Sequence, residues 1–183
     1  MFRTVPLTRN LSLTYRLAAI AVFTVLTIIS ARIVIPIEPV PFTMQTFAVI
    51  LAGLVLGSRD GALSQLAYLG LIALNFPVDA RMVGAAALTG PTAGFLVGFV
   101  VAAFVAGWIV ERSGNRWWLR VVAAVVAGVV IHLFGVPLFM LLMSRDLGTT
   151  LGLTTLPYAV SDLLKALLAA SVNEGGRSLL MRR

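Results

Sequence analysis

Long apolar stretches, broken only by short polar turns, leave this chain few ways to fold. Runs at roughly 17–35, 43–57, 62–76, 91–110, 117–143 and 157–172 carry almost no charge. A membrane span needs roughly 20 apolar residues. Six spans would therefore use about 120 of the 183 residues and leave about 60 for termini and loops. Only 11% of the residues are charged, where a soluble domain carries about 25%. The expectation is an all-α integral membrane protein, one domain over 1–183 with six transmembrane helices and no separate soluble catalytic module.

The first run follows Arg3, Arg9 and Arg16, as a secretory signal would, but it continues to Ile35 with no small-x-small cleavage site. It reads as an uncleaved first span. Pro36, Pro39 and Pro41 lie within six residues and imply a stiff extended connection. Ser58-Arg59-Asp60-Gly61 reads as a tight polar turn, Gly135-Val136-Pro137 as an interruption of the fifth run, and Ser144–Thr155 as a loop. The second and third runs are short for spans, so neighbours must shield them or they must tilt.

Of the fourteen cations, ten lie at the two termini and the 2–3 and 4–5 turns, and three on the opposite side. This bias puts both termini in the cytoplasm. The formal charge of +7 thus reads as topology and contact with anionic headgroups of the lipid bilayer, and not as nucleic-acid binding. Trp108, Trp117 and Trp118 flank the 4–5 turn as interfacial anchors.

The outward side holds the polar residues a binding site needs. Asp162 and Lys165 are three apart and share a helix face. Lys165 lies eight residues, about 12 Å of rise, after Pro157, which keeps both charges in the outer half of the membrane. Charges inside spans are costly and tend to line cavities. They read either as a ligand site or as an ion pair that neutralises itself. Lys165 stands alone among thirteen Arg, consistent with a position that prefers a compact, dehydratable ammonium.

Thr43 is suited to cap the second helix, while Gln45 has no capping role and is expected to face a ligand. Asp79 and Arg81 read as a solvated pair in an outward loop. Gly90, Gly94, Gly98, Ala102 and Ala106 recur every four residues, a stripe that lets helix backbones approach closely. Ala124, Gly128 and His132 form a similar series, with His132 as an interhelical hydrogen-bonding residue.

Enzyme chemistry finds little support. There is no Cys, one His, and no P-loop, H-E-x-x-H or G-x-S-x-G arrangement. A thiolate or multi-His metal site is excluded, and no cofactor is expected.

Five ordered blocks carry a resemblance. Pro41-Phe42-Thr43-Met44-Gln45-Thr46 with Leu51-Ala52-Gly53-Leu54-Val55-Leu56-Gly57 is similar to the P-x-T-x-Q-T and LAGLLLG blocks of the BioY family. Gly90-Pro91-Thr92-Ala93-Gly94-Phe95-Leu96-Val97-Gly98-Phe99 resembles its GPTGGYLxGF block. Gly135-Val136-Pro137 and Asp162-Leu163-Leu164-Lys165-Ala166 match later blocks. BioY proteins are the biotin-binding S components of energy-coupling factor (ECF) transporters.

The resemblance implies a multi-pass plasma-membrane protein that captures biotin from outside. Its partners would be a transmembrane coupling subunit and two ATPases. It further implies docking of the first span on the coupling subunit through small residues four apart. Ala18, Thr27 and Ala31 fit that pattern, whereas Val22 departs from it. The family's Gly-rich run after the third span is replaced by Asp79-Ala80-Arg81-Met82.

The residues suit biotin. Its ureido ring offers two N–H donors and a carbonyl, matched to Asp162 with Gln45 or Thr43. Its carboxylate calls for a cation, Lys165 first and Arg81 second, while Tyr158 and Phe42 can pack on the rings and Thr92 borders the pocket. Two alternatives stand beside this one. One is an S component for another small vitamin. The other is a non-transporting membrane assembly protein in which Asp162–Lys165 is a stability pair.

Overall fold

The computed structural model describes residues 12–112 and 116–181. These form seven α-helices: α1 (Leu13–Arg32), α2 (Gln45–Leu56), α3 (Ser58–Ala73), α4 (Ala93–Arg112), α5 (Trp117–Met143), α6 (Leu147–Thr154) and α7 (Ala159–Met181). Two short antiparallel strands, β1 (Val34–Ile35) and β2 (Phe42–Thr43), join α1 to α2. Turns of 3-10 helix at Gly84–Leu88 and Leu156–Tyr158 precede α4 and α7.

The distribution of apolar residues is that of a protein solvated by lipid. Val22 (63% exposed), Leu141 (75%) and Val160 (73%) point outward, in company with many other large apolar side chains. A water-soluble monomer rarely exposes so continuous an apolar surface. Among the described residues, four stretches are long and apolar enough to cross a membrane: Leu13–Arg32, Ala93–Arg112, Trp117–Met143 and Leu147–Gly176. The twelve-residue α2 reaches only about 18 Å, short of the hydrocarbon core. It has no need to meet lipid, because Ala48, Val49 and Ala52 are fully buried among α1, α3, α4 and α7.

Lipid tails are as apolar as Leu, so helices associate in a bilayer by close packing. The expected small-residue stripe does this between α4 and α5. A Cβ on Gly94 would lie 2.4 Å from the Phe134 carbonyl oxygen, and one on Gly98 3.0 Å from that of Ile131. Ala102 and Ala106 are both fully buried, Ala106 on the side of α2, where a Cβ on Gly53 would lie 2.8 Å from its own. Gly90 lies ahead of α4, and Gly128 on α5 meets nothing within 4 Å, so neither takes part in the close approach.

Several connections differ from the sequence reading. The Pro-rich stretch doubles back as a hairpin, Val34 opposite Thr43 and Ile35 opposite Phe42, because its three prolines lie outside the ladder and take no donor from it. The turn after α2 is narrowed to Gly57 at φ 85°, a conformation that favours glycine, and Ser58 through Gly61 already form the first turn of α3. The helix α5 runs unbroken through Pro137, as bilayer helices can where surroundings accommodate the freed carbonyl. The expected 144–155 loop contains α6. Asp146 caps it by accepting from the Thr149 amide (3.0 Å) and hydroxyl (2.6 Å), which also hold the Asp146 carboxyl below its usual pKa.

The end of the bundle where α3 begins is tied by charge. Arg16 reaches Asp60 at 2.6 Å, and Arg120 pairs with Glu174. Glu111, at the end of α4, accepts from the Ser58 amide (2.8 Å) and hydroxyl (3.0 Å), capping α3 from a neighbouring helix. Glu111→Ala is expected to cost about 1 kcal/mol, the usual value of a lost cap. That corresponds to a melting temperature about 3 °C lower in detergent; an unchanged midpoint would show that the cap contributes nothing.

Candidate functional site

One cavity collects most of the polar residues of the opposite end. It measures about 130 Å³, where a single water needs about 10–15 Å³, so it has the size for a small organic molecule. Phe95, Leu96 and Phe99 of α4 and Ile131 of α5 give it an apolar wall. Thr43, Gln45 and Thr46 enter from β2 and the start of α2, His132 from α5, Tyr158 from the second 3-10 turn, and Asp162 and Lys165 from α7. Ala80, Arg81, Val83, Pro91 and Thr92 come from the α3–α4 connection.

Asp162 and Lys165 meet at 3.0 Å, as their spacing on one helix face requires. Lys165 is only 6% exposed, and its ammonium also lies 4.1 Å above the Phe42 ring. Such a cation is tolerable only because a carboxylate and a π face receive it. Phe42 is outside the cavity lining and stacks on Tyr158, centroids 6.3 Å apart. The Tyr158 hydroxyl in turn donates to the Val40 carbonyl, pinning the hairpin to the start of α7.

Thr43 and Gln45 are both buried. The Thr43 hydroxyl accepts from the Gln45 amide N–H (3.3 Å), satisfying a free donor of α2, and Gln45 Nε2 donates to the Tyr68 hydroxyl (2.7 Å). This leaves Gln45 one amide proton and a carbonyl lone pair beyond its protein partners. Arg81 stands at the outer edge, with Nη2 on Glu38 (2.8 Å) and the Pro39 carbonyl (2.7 Å).

Of the expected ligand residues, the fold brings Asp162, Lys165, Gln45, Thr43, Arg81, Tyr158 and Thr92 to one cavity and sets Phe42 behind it. Asp79 is not a solvated partner of Arg81. It is 3% exposed and accepts from the Arg81 and Gly84 amides (3.0 and 2.8 Å), shaping the loop that presents the Arg81 side chain. The Asp-x-Arg sequence carries that signal, since Asp characteristically bonds the amide two residues on. His132 and Thr46 also line the cavity.

The expected docking residues fare differently. Thr27 and Ala31 are fully buried, and Thr27 exchanges hydrogen bonds with Gln65 of α3 at 3.2–3.3 Å. They serve the packing of α1 inside this chain and present no outer face. Of the three, only Ala18 is exposed.

A family model described as the BioY family matches residues 4–182. The biotin transporter BioY of Thermotoga maritima is 38% identical over 154 residues, covering 82% of this chain and 89% of that protein. The biotin transporter BioY of Rhizobium etli is 36% identical over 188 residues, covering 95% and 94%. A crystal structure described as the S-component for biotin from an ECF-type ABC transporter superposes with a TM-score of 0.83 over 90% of this chain and 92% of that one. At 24% identity it establishes the likeness of the fold.

Proposed function

The chain belongs to the BioY family, and on that premise we propose that it captures biotin and takes it up across the plasma membrane as the S component of an ECF transporter. It is a transport protein and not an enzyme. It acts as one domain of six spans, α1 to α5 and α7, with both termini cytoplasmic. The ten-to-three bias of its cations supports that orientation. The cavity then opens in the outer half of the bilayer. A coupling subunit and ATPases supply the energy, since this chain has no phosphate-binding loop.

The observation that carries the reading is the pairing of a carboxylate and an ammonium, 3.0 Å apart, in a pocket that also has an apolar wall of Phe95, Leu96, Phe99 and Ile131. A ureido group presents N–H beside C=O. Asp162 accepts from the first and Lys165 donates to the second, so the buried pair matches the neutral head of biotin edge to edge. Gln45 and Thr46 add further polar contacts, and Phe95 and Phe99 receive the thioether ring and the chain.

The ligand carboxylate is strongly hydrated and is best placed at the outer edge, on Arg81. Glu38, Arg81's present partner, is 78% exposed at its side chain. Such pairs are worth under about 1 kcal/mol, so a ligand carboxylate replaces it readily. Arg81 thus takes precedence over Lys165 for the acid.

Calorimetric titration of the purified protein in detergent is expected to give tight binding of biotin and none of thiamine or riboflavin. Binding of either of these with no response to biotin would assign another vitamin, and silence with all three would favour an assembly role. Arg81→Ala is expected to weaken biotin about tenfold, about 1.4 kcal/mol, while leaving biotin methyl ester unchanged. Equal loss for acid and ester would remove Arg81 from carboxylate recognition.

A further inference from the structure

The two oxygens of Asp162 have different companions. Oδ1 faces the Lys165 ammonium (3.0 Å) and the Thr46 hydroxyl (3.4 Å), whereas Oδ2 faces Nε2 of His132 at 3.1 Å. Thirty residues separate His132 from Asp162, so this contact exists only through the packing of α5 on α7. The ring is fixed on two further sides. Thr155 Oγ1 lies 3.2 Å from Nδ1, and the Phe95 ring meets the imidazole edge-on, 90° and 5.7 Å away.

The chemistry of these neighbours sets the tautomer. An ionised carboxylate only accepts, so the contact with Asp162 places the proton on Nε2, and the neutral ring then accepts at Nδ1. Thr155 can supply that proton. The Thr154 hydroxyl sends its own proton to the Thr150 carbonyl (2.8 Å) and lies farther from Thr155 (3.4 Å) than Nδ1 does (3.2 Å), so the single Thr155 proton is better placed for His132. The result is a directed chain from Thr155 through His132 to Asp162, ending on the cavity wall.

We propose that His132 is a positioning residue for ligand capture. By holding Oδ2 it stops the Asp162 carboxylate from turning toward Lys165 and keeps its remaining lone pairs aimed at the N–H edge of the ligand head. This role rests on the biotin reading and deepens it. The bland alternative is a ring that merely bridges helices, in which case its loss would affect the fold and not the ligand.

Three variants of the full chain in detergent separate the two. Gln carries an N–H close to the position of Nε2. Asn keeps a polar group near Thr155 but is too short to reach Asp162, and Leu removes both contacts. His132→Asn and His132→Leu are expected to weaken biotin at least about tenfold, and biotin methyl ester by the same factor, since the effect runs through the ureido end. His132→Gln is expected to stay within about threefold of the parent, with ligand-free melting temperatures alike across the set. Equal loss in Gln and Asn, unchanged binding in Asn, a loss that spares the ester, or a loss that follows the melting temperature would each overturn the role. Should the Leu variant fail to fold, the Gln–Asn comparison decides alone. A parent protein that does not bind biotin overturns the biotin reading, and this role with it, before any variant is measured.

Discussion

Asp162→Asn is expected to weaken biotin binding at least about a hundredfold, about 2.8 kcal/mol. The substitution keeps the size of the side chain and changes only its charge and one acceptor. An N–H of the ligand then faces either an amide N–H, which repels it, or a neutral carbonyl in place of a carboxylate. Hydrogen bonds to charged groups are worth about 1.5–3 kcal/mol. The 6%-exposed Lys165 loses its counterion as well, and an uncompensated buried charge costs several kcal/mol unless it sheds its proton. Calorimetry with biotin measures the first effect and thermal melting of the ligand-free protein the second.

A double variant, Asp162→Asn with Lys165→Met, separates binding from folding. Removing both charges of a buried pair is often neutral for stability. The melting temperature should therefore recover toward the parent while biotin binding stays lost. Recovery of both would mean that neither charge is needed for the ligand and that the loss in Asp162→Asn came from the orphaned Lys165 ammonium, and parent-like affinity in Asp162→Asn would remove the carboxylate from the site altogether.

The sequence revealed what depends on neighbours along the chain. Asp162 and Lys165 are three residues apart, and helix geometry alone brings them to 3.0 Å. Thr43 next to the start of α2 announces its bond to the Gln45 amide in the same way. His132 is the interhelical hydrogen-bonding residue its series suggested, but the sequence could not name Asp162 as its partner, because their meeting is a product of how α5 lies on α7. The short α6 was hidden by Gly148 and Gly152, which weaken helix propensity, while its stabilising Asp146 cap lay one residue before it. Thr27 and Ala31 illustrate a limit of pattern. Small residues at helical spacing mark a close contact, but the pattern does not say with what; here both are buried within this chain, and Thr27 bonds Gln65 of α3.

A second large effect, on stability, is expected at Gly94, where that ambiguity is resolved. A Cβ there would stand 2.4 Å from the Phe134 carbonyl oxygen and 2.9 Å from the Leu138 Cβ. The nearer obstacle is backbone, so no flexible side-chain end can yield, and Gly94→Val can be accommodated only if α4 and α5 separate. Overpacking costs about 1–3 kcal/mol in cores that adjust. A rigid contact belongs at the upper end, about 3 kcal/mol, or a melting temperature lower by about 9 °C in detergent. The same movement would carry Phe95 and His132 apart, since they face each other across this seam, so biotin affinity should fall with stability. Gly128, on α5 but with nothing within 4 Å, is the control. Gly128→Ala gains helix propensity worth about 0.5–1 kcal/mol without meeting a neighbour, and its midpoint should hold or rise by a few degrees. Opposite signs at two helical glycines would show that contact distance, and not the loss of glycine, governs the effect; a Gly94→Val protein melting within about 2 °C of the parent would mean that the helices do not pack as closely as described.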